Sequence, residues 1–476
     1  MLTISLTTLL LLPLTFGAPL PAPVYLAPIK RSEAINARAV ADNAYIIAIK
    51  DNTVDPANRG AWVNKIMTNA GVTLSDDETN SLRLGWNETI MNGIAGTFSA
   101  KALNVIRSQS EVAYVEPDYE MRISETVQQD NAPWGISRLS TGPVSLQGQD
   151  PLGLQFPYFS DSTAGAGTDV YILDTGIRTT HTEFGGRATF LQTFGPGVPG
   201  QDVNGHGTHV AGTAAGNRVG VAKQASIFMI KCVADDGSAA TSDIVSAINL
   251  AATRAAANPT RPAVVNMSLG GPPSRALDAA VSAAVAGGLP FVVAAGNETQ
   301  DANNSSPARL PEVITVGATD INDRIASFSN FGNKVDVFAP GDTIISASFQ
   351  GDNLGAVLSG TSMASPHIAG LAALVMGQSG KLTPDALATQ IKSIAVNNAI
   401  SGVPGNTANV LAFNNAVPVA QLQQALASLG QTGAGTVASS TAAAAADAVQ
   451  DANTGNGGRR GRNRNRAVEA EAFPLD

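Results

Sequence analysis

The run Asp169-Val170-Tyr171-Ile172-Leu173-Asp174 indicates the fold class. An unbroken apolar run of this length, bounded by acids, is typical of a strand buried on both faces. Similar runs recur downstream, at residues 227–230, 263–267, 291–295 and 313–316. Segments with helical periodicity alternate with them, at residues 206–215, 243–257, 276–286 and 362–376. This alternation predicts an α/β domain over residues 131–417, a mostly parallel sheet with helices on both faces.

The ends of these strands are the expected place for a ligand. In open parallel sheets, ligands bind beyond the carboxyl ends of the strands. Asp174 ends the first run, and Asn297 follows the run at residues 291–295. Both side chains are therefore predicted to lie at the same edge of the sheet.

The composition fits a globular protein with more than one domain. The chain has 476 residues, of which 44% are hydrophobic and 14% charged, and its net charge is −9. This charge offers no field that attracts phosphate, so no nucleic-acid partner is expected. Cys232 is the single cysteine, so no internal disulfide can form. We expect its thiol, which follows a buried run, to be inert.

The N-terminal third predicts a leader and a small separate domain. Residues 1–17 contain an apolar run too short to span a bilayer, followed by small residues, which is typical of a secretory signal. No later run is long enough to cross a membrane, so we expect a secreted protein with no membrane partner. Short strand and helix patterns then predict a small α+β unit at 44–123, after a linker at 18–43. Residues 124–130 are polar and predict an exposed linker that can be cut.

The C-terminal region changes composition. Residues 418–476 are rich in Ala, Ser, Thr, Gly and Asn, with one short helical pattern at 421–429. Low-complexity composition of this kind predicts disorder. The Arg-rich cluster at 459–466 contains no aromatic residues that could stack on bases, so it indicates a solvated tail or a processing site.

Three short strings supply an acid, an imidazole and a hydroxyl. Asp174 precedes Thr-Gly, His206 and His209 lie three residues apart in a Gly-rich string, and Ser362 opens a long apolar helix. These are the groups that a serine nucleophile, its general base and the orienting acid require. From the residues alone either histidine could be the base. A metal pair is less favoured, because no third ligand stands at a recognisable spacing.

Ser362 and Asn297 also have common structural interpretations. A serine at the start of a helix is often only an N-cap, and an asparagine in a Gly-Asn pair often only forms a turn. The three strings together favour the catalytic interpretation of Ser362. Acyl transfer then needs a donor for the developing oxyanion, and the amide of Asn297 could supply it.

The strings together resemble the subtilisin-like serine protease family, and most closely its proteinase K branch. The order Asp, His, Ser along the chain is also that of subtilisin. The matching strings are NAPWG at 131–135, HGTHVAGT at 206–213, SLGG at 268–271, SFSN at 327–330 and GTSMASPH at 360–367. The resemblance covers nearly the whole predicted catalytic domain.

The resemblance implies a role for each matching residue. It makes His206 the general base and His209 structural, with Asp174 as orienting acid, Ser362 as nucleophile and Asn297 as oxyanion donor. It places an extended substrate, as an added strand, between two segments of the cleft, and it implies a pocket of small residues for the side chain before the scissile bond. The implied substrate residues are Gly237, Ser238, Ser268, Leu269, Gly270, Ala294, Ala295 and Gly296.

The resemblance also implies an inhibitor and a cation. Residues 44–123 resemble the inhibitor propeptide of the family, which would occupy the cleft until self-cleavage. Proteinase K relatives often carry disulfides, and this chain has none. We therefore expect stability from a bound Ca²⁺, held by the backbone oxygens of Pro311 and Val313 and by Asp336. The resemblance does not imply a second calcium site near residues 399–403, because no acidic residue there clearly matches the ligand of the family.

These observations favour a secreted, monomeric serine endopeptidase of broad specificity that matures by removing its own propeptide. Its partners would be protein substrates and its own propeptide. One alternative is a vacuolar processing peptidase with the same chemistry. Another is a non-catalytic binding module that has kept the fold, which the intact set of three groups disfavours.

Overall fold

A computed structural model describes residues 26–30, 43–72, 80–86, 92–118, 126–416 and 472–475. The predicted signal at 1–17, most of the linker at 18–43 and the helix predicted at 421–429 lie outside the described residues. Within the described ranges, no helix is long and apolar enough to cross a membrane. Residues up to 118 belong to one compact unit, and residues from 126 onward belong to a second.

The first unit is an antiparallel sheet with two helices, as predicted. Its strands follow the order β2-β3-β1-β4. Ile47, Met67, Ile94 and Val115 are buried together in its core. Its elements are β1 (Ala44–Ile49), α1 (Arg59–Asn69), β2 (Ser81–Trp86), β3 (Gly93–Thr97), α2 (Ala100–Arg107) and β4 (Val112–Pro117). Strand β2 was not predicted, although Leu82, Leu84 and Trp86 alternate with other residues as in a half-buried strand.

The second unit is built around a large sheet. Its first half contains β5 (Thr126–Ala132), α3 (Trp134–Thr141), β6 (Phe156–Asp161), β7 (Asp169–Asp174), β8 (Ala188–Thr193), α4 (His206–Ala215), β9 (Ser226–Lys231), α5 (Thr241–Ala256), β10 (Ala263–Met267), α6 (Arg275–Ala286) and β11 (Phe291–Ala294). Its second half contains β12 (Ile314–Thr319), β13 (Val337–Pro340), β14 (Ile344–Ala347), β15 (Leu354–Leu358), α7 (Thr361–Ser379), α8 (Pro384–Ile394), β16 (Val396–Asn397), β17 (Val410–Leu411) and β18 (Phe473–Pro474).

The strand order of the main sheet confirms the predicted α/β class. In the described part of the chain the order is β16-β17-β13-β12-β11-β10-β7-β9-β8. Every neighbouring pair is parallel except β16 with β17. Strand β7 lies in the interior between β10 and β9, so the carboxyl ends of these three strands are adjacent.

Both faces of this sheet are covered, which explains the unbroken apolar strands. Along β7, Val170 and Ile172 belong to the cluster that includes residues of α4 and α7. Tyr171 and Leu173 point to the other face and belong to the cluster with residues of α5 and α6. Because side chains alternate between faces, a strand covered on both sides needs apolar residues at every position.

Helices α4 and α7 approach each other closely on one face. A Cβ added at Gly370 of α7 would lie 2.6 Å from the backbone oxygen of Ala214 and 2.6 Å from Cβ of Val221. Only a glycine permits this separation. The contact packs the end of α4 against the middle of α7.

Two segments differ from the sequence predictions. Residues 126–130, interpreted as part of an exposed linker, are solvent-exposed except for the half-buried Gln129, but their backbone pairs antiparallel with β6 as part of β5. The disorder predicted for 418–476 does not hold for residues 472–475, which contain β18. Leu475 is buried there, and burial of apolar surface offsets the entropy of ordering.

We predict that Gly370→Val destabilises the second unit by about 1–3 kcal/mol, because the added side chain overpacks the contact between α4 and α7. Chemical denaturation of the purified chain would measure the loss. Gly405→Ala is the matched control, since nothing lies within 4 Å of a Cβ added at Gly405. Equal stability of the two variants would contradict the close contact.

Candidate active site

Asp174 and His206 form a hydrogen-bonded pair at the carboxyl end of β7. Asp174 is the last residue of β7 and its side chain is only 1% exposed, whereas that of His206, the first residue of α4, is 27% exposed. His206 Nδ1 lies 2.8 Å from Asp174 Oδ1, which also accepts the backbone N–H of Thr175 at 2.7 Å. An ionised carboxylate only accepts hydrogen bonds, so Nδ1 carries the proton. Nε2 is the ring nitrogen left to accept one.

A second carboxylate, Asp202, organises the loop before α4. It is buried. Its Oδ1 accepts hydrogen bonds from Thr175 Oγ1 at 3.0 Å and from the Gly205 amide at 2.8 Å, and its Oδ2 accepts from the Thr208 amide at 2.9 Å. Thr175 Oγ1 in turn accepts the Gly207 amide at 2.9 Å. Asp202 thus joins the end of β7 to the first turn of α4.

Asp202 was missed by the sequence analysis. Its one signal is its position four residues before His206, where an aspartate can accept the free amides of a helix start. No local sequence pattern predicts its hydrogen bond with Thr175, because the two residues are 27 positions apart. Lys231, at the end of β9, was missed for a similar reason. Its fully buried ammonium donates to the Thr175 carbonyl and to Asp235 Oδ1.

The surroundings of His206 favour its protonated form. Burial by itself would lower the pKa of the imidazole, but the charge and hydrogen bond of Asp174, together with the charge of Asp202, outweigh it. The pKa of His206 is therefore raised above its ordinary value of 6.5. His206 must lose that proton to act as a base, so an activity that depends on it falls as the pH drops through the raised pKa.

The other histidines have structural partners. His209 Nε2 donates to the Ile344 carbonyl at 2.9 Å, His367 Nδ1 to the Met363 carbonyl at 2.8 Å, and His181 Nε2 to the Leu354 carbonyl at 2.8 Å. Burial lowers the pKa of His209 to about 3 and that of His367 to about 4. Of the two histidines in the Gly-rich string, only His206 therefore has the environment of a base. No cluster of three His, Cys, Asp or Glu side chains suited to a metal occurs among the described residues.

Ser362 and Asn297 lie at the carboxyl ends of the neighbouring strands. Ser362, the second residue of α7, donates from Oγ to the Ser268 carbonyl at 3.1 Å, just beyond the end of β10. Asn297 follows β11, and its Oδ1 accepts from the amide and the hydroxyl of Thr361 at 2.8 and 2.9 Å. These bonds orient the Asn297 side chain and leave its Nδ2 as the donor.

Strand register brings the two groups to the same edge. Asn266 of β10 pairs with Ile172 of β7, so Ser268, two residues later, reaches the level of Asp174 on the next strand. Ser268 also donates from Oγ to the Ser362 carbonyl at 2.7 Å. The four predicted groups thus lie at the ends of β7, β10 and β11, where hydrogen bonds join His206 to Asp174 and Ser362 to Ser268.

The predicted substrate residues flank this group on both sides. Ser268, Leu269 and Gly270 follow β10, while Gly237 and Ser238 lie in a turn after β9, closed by the Asp236 carboxylate accepting the Ser238 amide at 2.9 Å. Strand β7 lies between β9 and β10. The remaining three residues end β11 or follow it, namely Ala294, Ala295 and Gly296, and the Gly296 amide donates to Thr361 Oγ1 at 3.1 Å.

The predicted calcium ligands lie at the opposite edge of the sheet. Val313 precedes β12 and Asp336 precedes β13, so both are at the amino ends of their strands. The Asp336 amide donates to the Thr315 carbonyl, and the Thr315 amide donates to Asp336 Oδ2, each at 3.0 Å. Lys392 Nζ lies 3.2 Å from Asp336 Oδ1. Both oxygens of the Asp336 carboxylate therefore have a partner, the Thr315 amide and the Lys392 ammonium.

Comparison with known proteins identifies the class. The Subtilase family model, Peptidase_S8, matches residues 165–457, and the Peptidase inhibitor I9 model matches residues 44–124. The chain therefore belongs to the subtilase family and is a subtilisin-like serine proteinase, a hydrolase acting on peptide bonds, that carries an I9 propeptide.

Relatives from fungi are similar over most of this chain. The "Subtilisin-like serine protease AsES" of Sarocladium strictum is 39% identical over 85% of this chain and 97% of its own length. The "Cuticle-degrading protease" of Metarhizium anisopliae is 42% identical over 69% of this chain and 82% of its own length. A crystal structure of a cold adapted subtilisin-like serine proteinase matches with a TM-score of 0.53 and 41% identity, over 60% of this chain and 99% of that chain.

We predict that Asp202→Asn lowers kcat and shifts the acidic limb of the kcat/KM profile to lower pH. The neutral amide removes a negative charge that raises the pKa of His206, and its NH₂ group cannot accept from Thr208. A pH series of kcat and kcat/KM on a peptide substrate would measure both effects. Asp385→Asn, an exposed residue in the first turn of α8, is the control. An unshifted acidic limb in Asp202→Asn would refute this electrostatic role.

Proposed function

We propose that this protein is a secreted serine endopeptidase of broad specificity, with Ser362 as nucleophile, His206 as general base and Asp174 as the acid that orients it. The observation that carries the proposal is the 2.8 Å contact between His206 Nδ1 and the buried Asp174 carboxylate. It lies at the strand edge where Ser362 and Asn297 are also found. The family relationship supports the same roles.

The proposed reaction is an acyl transfer. Ser362 Oγ forms a bond to the scissile carbonyl carbon while its proton moves to His206 Nε2. The nitrogen–carbon bond then breaks, and the imidazolium gives that proton to the leaving amine. Water repeats the sequence on the acyl-enzyme, releases the carboxylic acid and restores the hydroxyl. Asp174 stays ionised throughout, fixes the tautomer of His206 and stabilises the imidazolium.

Two N–H groups are proposed to bind the negative oxygen of the tetrahedral intermediate. One is Asn297 Nδ2, because the Oδ1 of that side chain is already bonded to Thr361. The other is the backbone amide of Ser362 in the first turn of α7, where helix amides lack partners within the helix. Donors held in place before the reaction need no reorganisation, so they stabilise the transition state more than water does.

Substrate is proposed to bind as an added strand between Ser268–Gly270 and Gly237–Ser238. Backbone hydrogen bonds then supply most of the affinity, so many sequences are accepted. The side chain before the scissile bond would enter the pocket walled by Ala294, Ala295 and Gly296, whose small size leaves room for apolar or aromatic groups. The Metarhizium relative is named for degrading cuticle, and we propose that this protein likewise acts on proteins outside the cell, as a monomer.

The I9 unit is proposed to inhibit the enzyme until the enzyme removes it. The apolar run at residues 9–16 supports export of this precursor. N-terminal sequencing of the active form from culture medium would test both proposals. A mature protein beginning between residues 122 and 127 is expected.

We predict that Ser362→Ala abolishes peptidase activity and leaves the precursor uncleaved. An organofluorophosphate should label the wild-type enzyme at Ser362 and leave the variant unlabelled, because only an activated serine hydroxyl reacts. Ser359→Ala, an exposed serine three residues earlier, serves as the control and should mature and react normally. Maturation of purified Ser362→Ala on its own would overturn the assignment of the nucleophile.

Calcium is proposed to bind the Asp336 carboxylate and the carbonyl oxygens of Pro311 and Val313. Its role would be structural, since these residues lie at the edge of the sheet remote from Ser362. A ligand that binds only the folded state raises stability by about 2.7 kcal/mol at one hundred times its Kd.

We predict that chelation by EGTA lowers the unfolding temperature of the wild-type enzyme and has no such effect on Asp336→Asn. Lys392→Ala should remain calcium-dependent and respond at lower calcium concentrations, because the competing ammonium is gone. Thermal unfolding across a calcium titration would measure all three proteins. A calcium response of Asp336→Asn equal to that of the wild type would exclude this site.

A further inference from the structure

Residues 472–475 add a third strand to the hairpin formed by β14 and β15. Strand β18 pairs antiparallel with β15, with Pro474 opposite Leu354 and Phe473 opposite Gly355. The Leu475 amide extends the pairing by donating to the Asn353 carbonyl at 3.1 Å. The outer edge of β15 is thus covered by a segment of the same chain.

The side chains of this strand pack against a small apolar cluster, called the apolar seat below and formed by Leu154, Val219, Ile345 and Val357. Leu475 is only 6% exposed and is buried with Val219 and Ile345. Partly buried side chains pack around them, namely Leu154, Val357 and Phe473. Pro474 points the other way and is exposed. The strand therefore binds through alternate side chains, as expected for one face of a sheet.

The hairpin has room for these side chains because residue 355 is a glycine. A Cβ added at Gly355 would lie 2.7 Å from Leu475 Cδ2 and 3.1 Å from Phe473 Cε2. A larger residue in β15 would fill the space that the strand occupies. Both partners of the contact are thus matched in shape.

The same hairpin supports the helix that carries His206. The carbonyls of Ile344 in β14 and Ala356 in β15 accept from His209 Nε2 at 2.9 and 3.2 Å. Ser346 Oγ also donates to the His209 carbonyl at 2.8 Å. These hydrogen bonds join the hairpin directly to α4, so an ordered hairpin stabilises that helix.

We propose that the edge of β15 and its apolar seat form a binding site for an extended Phe-Pro-Leu segment, filled within the same chain by residues 472–475. Docking adds backbone hydrogen bonds to an exposed edge and buries Leu475, which is the general mode of strand addition. It stabilises the β14–β15 hairpin and, through His209, the start of α4. The proposal does not depend on the peptidase chemistry of Ser362.

The first test compares Leu475→Ser with Pro474→Ser in the full chain, both in a Ser362→Ala background that prevents self-digestion. Hydrogen–deuterium exchange of residues 353–358 and 472–475 should become at least about tenfold faster in Leu475→Ser. In active enzymes, Leu475→Ser should lower the inactivation temperature by a few degrees and leave kcat/KM at 25 °C unchanged. Pro474→Ser should match the wild type, because its side chain faces solvent. Equal exchange in both variants would overturn the proposal.

The second test supplies the strand separately. A fluorescent peptide of residues 470–476 should bind saturably to a Ser362→Ala chain that ends at residue 471. The same peptide with serine in place of Leu475 should not bind, and neither should the normal peptide to that chain carrying Gly355→Leu. Absence of saturable binding up to millimolar peptide would overturn the site. A dimer of the full chain that Leu475→Ser dissociates would overturn docking within one chain.

Discussion

The hydrogen bond between His206 Nδ1 and the buried Asp174 carboxylate is the interaction on which the rest of the structure depends for its function. A carboxylate that is almost completely removed from water is costly unless its oxygens are bonded. Here Oδ1 accepts both an imidazole N–H and a backbone amide, which fixes the position and the tautomer of the imidazole, while Oδ2 is buried with no hydrogen-bond partner in the described part of the chain. Asp202 meets the same requirement with the amides of Gly205 and Thr208, and it holds α4 in the position that this bond needs.

The fold supplies this geometry by ending adjacent strands beside the starts of two helices. Strand β7 ends at Asp174, and α4 starts at His206. Helix α7 starts one residue before Ser362, beside the ends of β10 and β11. The close contact at Gly370 packs α4 against α7, so His206 and Ser362 are carried by helices that cannot separate without opening the core.

The β14–β15 hairpin connects the site to the outer part of the domain. On one side its carbonyls receive His209, which lies one turn beyond His206 in α4. On the other side, the edge of β15 receives residues 472–475. Docking at that edge is proposed to stabilise the hairpin and, through His209, the helix that carries His206.

The sequence by itself determined the buried parallel strands and the helix at 206–215, and it named Asp174, Ser362, Asn297 and two candidate histidines, because hydrophobic periodicity and short Gly-rich strings are local properties. The strands β6, β8 and β13–β15 were not predicted. Their sequence patterns are short or mixed, and these segments are recognised as strands only from the neighbouring elements that cover them. Only the tertiary structure decided from physical contacts that His206, and not His209, pairs with Asp174. It also decided that Asp202 joins β7 to α4 and that residues 472–475 dock on β15. Each of these depends on partners distant in sequence, and burial and hydrogen bonding between such partners leave no periodic signal in the chain.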